Sequence, residues 1–191
     1  MSTVAVLVPV KAFALAKARL AAVLGPEARA DLAREMADRV LTAAGALPVT
    51  VACDDEGVAD WARARGAAVA WVPGTDLNGA VTAGVAALAA QGVTRVVVAH
   101  ADLPDAKDLT TAADGGGVVA VPDRWDDGTN VLAVPTDSGF RFAYGPGSFR
   151  RHEAEAARLG LPFTVLRPAD LVRDVDVPAD LDDPDEHEDR T

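Results

Sequence analysis

The chain has 191 residues, half of them hydrophobic, which is enough apolar material for one domain with a buried core. Its 29 acidic and 18 basic residues leave a net charge of −11, a balance that repels a nucleic-acid backbone, and it contains no uninterrupted apolar run long enough to cross a membrane. There is no signal-peptide pattern, and the single cysteine, Cys53, excludes an internal disulfide, so the expectation is a cytoplasmic protein with Cys53 as an ordinary buried residue.

In chain order, short β-branched runs at Val4–Pro9, Val49–Ala52, Ala68–Val72 and Arg95–Ala99 read as strands buried on both faces. Helical patterns fall between them. One is opened by Pro26 and Glu27 and runs to about Ala44, a second covers Val58–Arg65, and a third covers Leu77–Ala90 and is closed by Gly92. This β-α-β-α order predicts an α/β fold whose parallel strands are joined by right-handed crossovers. After Asp102 the rhythm changes. Val118–Val121, Val131–Val134 and Phe140–Ala143 are strand-like but separated by segments too short for crossover helices, so part of the sheet is expected to be antiparallel. A helix at Ser148–Leu159 and a short strand at Phe163–Leu166 follow. Residues 1–181 are expected to form a single domain and residues 182–191 an acidic, disordered tail.

Three sets of residues suggest chemistry. Of only three lysines, Lys11 and Lys17 lie with Arg19 in the loop after the first strand, at the carboxyl end where open α/β sheets bind ligands. The cluster reads as phosphate-neutralising or, equally, as a solvated face. Asp102 follows the strand ending at Ala99, and Asp174-Val175-Asp176 places two carboxylates on one side of an extended segment. These three suit Mg²⁺, which prefers one or two carboxylates supplemented by substrate phosphates, although Asp102 alone reads as well as a cap for a helix after Pro104. The third set is the glycine-rich turn Tyr144-Gly145-Pro146-Gly147-Ser148, which opens a helix and bares N–H groups to a phosphate or carboxylate; a strand-like run from Gly128-Thr129-Asn130 precedes it. Standard phosphate-loop, dinucleotide and nucleophile-elbow motifs are missing, so Ser148 is a hydrogen-bond donor rather than a nucleophile. Asn78, at the start of the third helix, reads on its own as an N-cap.

The segments VPVKAFALAKARL (8–20), HADLP (100–104), PDRWDDGTNVLAV with FAYGPGSFRRH (122–152) and DVDVPADL (174–181) together resemble the 2-phospho-L-lactate and phosphoenolpyruvate guanylyltransferases of coenzyme F(420) biosynthesis, over nearly the whole chain. The resemblance implies a Rossmann-like, glycosyltransferase-A-type nucleotidyltransferase fold with a central mixed, mostly parallel sheet flanked by helices. It implies transfer of GMP from GTP to the phosphate of a three-carbon acid, with pyrophosphate released and the product handed to the next pathway enzyme. By the same resemblance Thr129, Gly145 and Ser148 grip the acid, Asp102, Asp174 and Asp176 hold magnesium, Lys11, Lys17 and Asn78 meet the nucleotide, and Lys17 and Asp102 are catalytic. Ala18 and Val131 depart from the serine and alanine common in relatives. The Ala- and Arg-rich, Lys-poor composition suggests a GC-rich bacterial genome, for which the resemblance implies phosphoenolpyruvate ahead of 2-phospho-L-lactate. Two other readings stand beside this one: another nucleotidyltransferase of the same fold, acting on molybdopterin or a sugar phosphate, and a non-catalytic nucleotide-binding protein.

Overall fold

The computed structural model describes residues 3–181, so the expected acidic tail lies outside the described residues. Seven strands form one sheet: β1 (Val4–Pro9), β2 (Val49–Cys53), β3 (Ala68–Trp71), β4 (Arg95–Ala99), β5 (Val118–Pro122), β6 (Thr129–Pro135) and β7 (Phe163–Val165), in the order β3-β2-β1-β4-β6-β5-β7. The pairs β1–β2, β2–β3, β1–β4 and β5–β7 are parallel, and β6 runs antiparallel to both neighbours, β4 and β5. The reversal follows from chain length. Only the short Asp123–Gly128 turn separates β5 from β6, which is room for a hairpin and not for a crossover helix.

Five helices cover the two faces: α1 (Pro26–Ala43), α2 (Glu56–Ala64), α3 (Leu77–Ala90), α4 (Thr110–Ala113) and α5 (Ser148–Arg158). Alternation along each strand sends side chains to opposite cores. Val6, Val8, Val97, Ala99, Val119 and Val121 pack with α1, α2 and α4, whereas Ala5, Leu7, Val96, Val98, Val118 and Ala120 pack with α3 and α5. The α1 residues Ala33, Met36, Ala37, Val40 and Ala43 are buried at three- and four-residue spacing, one apolar stripe of an amphipathic helix. Helix α3 lies so close to the sheet that a Cβ on Gly84 would stand 2.8 Å from Leu7, so the close approach needs a glycine. Cys53 is buried within the first core, as expected, and burial raises its thiol pKa.

Three sequence expectations change. The β3 run is not buried on both faces. It is the edge strand, with Trp71 46% exposed, because no strand among the described residues pairs beyond it. Phe140–Ala143 is not a strand but irregular chain, held in part by hydrogen bonds from Arg151 Nε and Nη2 to the Ala143 carbonyl. No helix follows Pro104 directly; α4 begins at Thr110, so Asp102 caps nothing there.

Candidate active site

The strand order places β1 beside β4, and the chain runs on from β1 to β2 and from β4 to β5 toward opposite edges of the sheet. Open α/β sheets form their ligand crevice at such a switch point, outside the carboxyl ends of the strands. A cavity of about 320 Å³ opens there, lined among others by Lys11, Phe13, Lys17, Leu77, His100 and Asp102. The loop after β1 forms its wall through the 3₁₀ turn Phe13–Leu15 and Lys17, and a second 3₁₀ turn, Ala18–Leu20, follows. Between them Lys17 adopts a left-handed backbone (φ 53°), a conformation that costs a non-glycine residue about 1 kcal/mol or more.

The strained turn carries Lys17 Nζ to 2.7 Å from Asp102 Oδ2, with only 9% of the lysine side chain exposed. The solvated-face reading therefore fails for Lys17, while Lys11 and Arg19 remain exposed. Burial works against ionisation of Asp102, but the charge of Lys17, the nearby His100 and the lysine hydrogen bond outweigh it and hold the carboxyl below its ordinary value. Its other oxygen, Oδ1, is buried with no hydrogen-bond partner among the described residues. Beside it, burial lowers the pKa of His100 and keeps the ring neutral, with Nε2 likewise unpartnered.

Asp174 shares this field. Burial first, then the charges of Asp102, Asp123 and Asp180, push its carboxyl up to about 6. Asp176 points elsewhere: its carboxylate meets Arg19 at 2.6 Å. Its N–H and that of Val177 bind Asp180 Oδ2, while Asp180 also pairs with Arg124. Among the described residues no group of three His, Cys, Asp or Glu side chains stands ready to hold a metal. The donor set nevertheless fits Mg²⁺ in its usual sparse mode: an oxygen of Asp102 without a hydrogen-bond partner among the described residues and a charge-crowded carboxylate on Asp174 would be two protein ligands for substrate phosphates and water to complete.

The glycine-rich turn does not line this cavity but adjoins it, through the Tyr144 ring beside that of His100. Gly147 at φ 72° caps α5, and Gly145 lies at φ 114°, so both glycines serve conformations that L side chains rarely adopt. The turn does not bare all its N–H groups, as the sequence suggested. Gly147 N–H donates to the Asp127 carboxylate, Ser148 N–H to the Gly145 carbonyl and Phe149 N–H to the Asp127 carbonyl. What the turn supplies instead is a hydroxyl pair. Ser148 Oγ lies 3.2 Å from Thr129 Oγ1, both side chains buried, at the head of β6.

Asn78 is not the N-cap of α3; Asp76 is, accepting from Gly79 N–H. Both ends of the Asn78 amide are engaged by one residue of the turn: Oδ1 accepts from Tyr144 N–H at 2.7 Å and Nδ2 donates to the Tyr144 carbonyl at 3.3 Å. Asn78 thus clamps α3 to the glycine-rich turn. The sequence reading gave no side-chain role to His100, Tyr144, Asp180 or His152. The buried Tyr144 hydroxyl is unpartnered and its ring stands 5.0 Å from that of His100. Only His152 had a usable signal, since it follows Ser148 by four residues and so shares its helix face.

A family model described as "Guanylyl transferase CofC like" matches residues 4–187. The chain is 38% identical over 192 residues to a phosphoenolpyruvate guanylyltransferase of Sphaerobacter thermophilus, covering 96% of this chain and 92% of that one. It is 37% identical over 190 residues to a phosphoenolpyruvate guanylyltransferase of Rubrobacter xylanophilus, covering 95% and 92%. Among solved structures, a candidate nucleotide-diphospho-sugar transferase from Desulfovibrio desulfuricans superposes with a TM-score of 0.75 at 20% identity, over 93% of this chain and 84% of that one, a likeness of fold. The architecture is thus the mostly parallel nucleotidyltransferase type that the sequence implied. No helix among the described residues is long and apolar enough to span a membrane.

Proposed function

The chain belongs to the CofC-like guanylyl transferase family, and from that membership we propose that it transfers GMP from GTP to the phosphate of phosphoenolpyruvate with release of pyrophosphate, a step in coenzyme F(420) biosynthesis. The observation that carries this reading is the alignment of phosphoenolpyruvate guanylyltransferases over more than nine-tenths of both chains. Residues 1–181 would form the single catalytic domain, and the product would pass to the next enzyme of the pathway.

In the reaction a phosphate oxygen of the acid, already anionic at neutral pH, bonds to the α-phosphorus of GTP while the bond from that phosphorus to the pyrophosphate oxygen breaks in line. No general base is needed, because the attacking oxygen carries no proton to remove. Catalysis rests on positioning two anions and offsetting their charge. Thr129, Gly145 and Ser148 hold the acid at the α5 turn, and the β1–β4 cavity takes the nucleotide. Lys11 and Lys17 face the triphosphate, and Asn78 fixes the turn relative to α3 instead of reading the base. Asp102 and Asp174 would hold Mg²⁺, and Asp176 would join them on exchanging its Arg19 partner. When bound, the ion offsets phosphate charge and orients the reacting groups.

Pyrophosphate release from GTP and Mg²⁺ tests the proposal, with phosphoenolpyruvate, 2-phospho-L-lactate and 3-phosphoglycerate supplied separately and the next pathway enzyme present to draw off a labile product. Release with phosphoenolpyruvate supports it. Release with 2-phospho-L-lactate alone would reassign the acid, and silence with all three would reject the reaction.

A further inference from the structure

His152 lies one helical turn after Ser148 on α5 and is completely buried. Its Nε2 is 3.1 Å from the Ala143 N–H and its Nδ1 is 3.0 Å from Thr129 Oγ1. The rings of Phe140 and Tyr144 stand 5.8 and 4.9 Å from it and hold its orientation. A backbone N–H can only donate, so Nε2 must be the accepting, unprotonated nitrogen. Burial, the charge of Arg151 and the proximity of His100 oppose a second proton, against the weaker pull of Glu155, and bring the pKa down to about 4. The ring therefore keeps its one proton on Nδ1 and donates it to Thr129 Oγ1.

Counting hydrogens then gives a consequence. His152 Nδ1–H, the Thr129 hydroxyl and the Ser148 hydroxyl bring three hydrogens to a chain of two bonds, His152 to Thr129 and Ser148 with Thr129. One hydroxyl hydrogen is left over whichever way the second bond runs. With the other tautomer, Thr129 would donate to Nδ1 and Ser148 to Thr129, and no hydrogen would remain.

We infer that His152 is a positioning residue that, through its Nδ1–H tautomer, frees one hydroxyl hydrogen of the Thr129–Ser148 pair to bind the anionic acid substrate. The inference rests on the proposed placement of the acid at these two residues. Because Ala143 sets the tautomer and immediately precedes the Tyr144–Gly147 turn, the same histidine ties the shape of that turn to the donor beneath it. Were the ring to accept from Thr129 instead, both hydroxyl hydrogens would be used within the chain and the acid would lose one hydrogen bond to its charged group, about tenfold or more in binding.

Two measurements test this. In protein labelled with ¹⁵N-histidine, nitrogen shifts between pH 6 and 8 should show His152 neutral with its proton on Nδ1; an Nε2–H ring or an imidazolium would overturn the inference. In steady-state assays, His152→Leu, which leaves the two hydroxyls one mutual bond and so still one spare hydrogen, should raise the KM for phosphoenolpyruvate by less than about tenfold, whereas His152→Asp, whose ionised carboxylate near the Nδ1 position only accepts and takes up the Thr129 hydrogen, should raise it about tenfold or more, each with the KM for GTP unchanged. Equal KM values for phosphoenolpyruvate in the two variants, or equal changes in the KM values for both substrates, would reduce His152 to a packing residue and refute its role. If the wild-type protein does not turn over phosphoenolpyruvate, the assigned reaction fails; the tautomer, read without substrate, still decides the hydrogen-bond chain.

Discussion

Asp174→Asn separates what the site costs in stability from what it does. The native carboxyl sits at about 6 against an ordinary 3.8, through burial and then the charges of Asp102, Asp123 and Asp180. A shift of about 2 units at about 1.36 kcal/mol each bounds the penalty at about 3 kcal/mol, and partial solvent access reduces it to about 1–2 kcal/mol. The sign follows from which state holds the proton more tightly. The folded pKa is the raised one, so the penalty is absent below about pH 4, grows as the pH rises, and is complete above about pH 6. Asparagine keeps the shape and removes the charge. It is therefore expected to stabilise the protein by about 1–2 kcal/mol at pH 8, roughly 2–8 °C in Tm, and by almost nothing at pH 4. Urea unfolding at both pH values measures the difference. Adding Mg²⁺ at pH 8 should stabilise the wild type more than the variant, and the variant should lose about 10²–10³ in turnover. A variant that is no more stable than wild type at pH 8, or a gain of the same size at both pH values, would refute the picture of a charge-crowded cation site.

Asp102→Ala should lower kcat by about 10²–10³, and it should also leave the nearly buried Lys17 ammonium without its partner, a loss of up to about 3 kcal/mol that chemical denaturation would register. Asn78→Ala should raise the KM for the acid more than that for GTP, because its amide holds the Tyr144 backbone; the opposite ranking in steady-state kinetics would restore it to the nucleotide. Ser148→Ala should weaken acid binding with GTP binding unchanged, as isothermal titration of each substrate would show. Gly84→Ala should cost about 1–3 kcal/mol in thermal unfolding without altering either KM, since its Cβ would press on Leu7 inside the core between α3 and the sheet.

Much of this architecture was legible because period and length act locally. The runs around Val4–Pro9 and Arg95–Ala99 and the Leu77–Ala90 helix fall where the pattern predicts them, and the short β5–β6 turn forces the antiparallel strand. The Ala68–Val72 run was misplaced in the sheet because a strand's own residues do not say whether a neighbour will cover it. Phe140–Ala143 alternates like a strand, yet its aromatic residues serve packing against the histidine cluster, with Phe140 5.8 Å from His152. Within the site, Lys17 and Asp102, 85 positions apart, could be paired only through the family resemblance or the fold. The spacing of Asp174 and Asp176 suggested a shared direction, but the segment is irregular and Arg19 draws Asp176 aside. The N–H groups of the glycine-rich turn were expected to be free, and Asp127, unremarkable in an acidic chain, takes up two of them.

The most direct test of the account follows the oxygens. Phosphoenolpyruvate carrying ¹⁸O in its phosphate would be turned over with unlabelled GTP, and both products weighed by mass spectrometry. If the acid's phosphate attacks the α-phosphorus, all of the label stays in the guanylylated product and the pyrophosphate carries none. Label in the pyrophosphate, or GDP formed in its place, would contradict guanylyl transfer at this site.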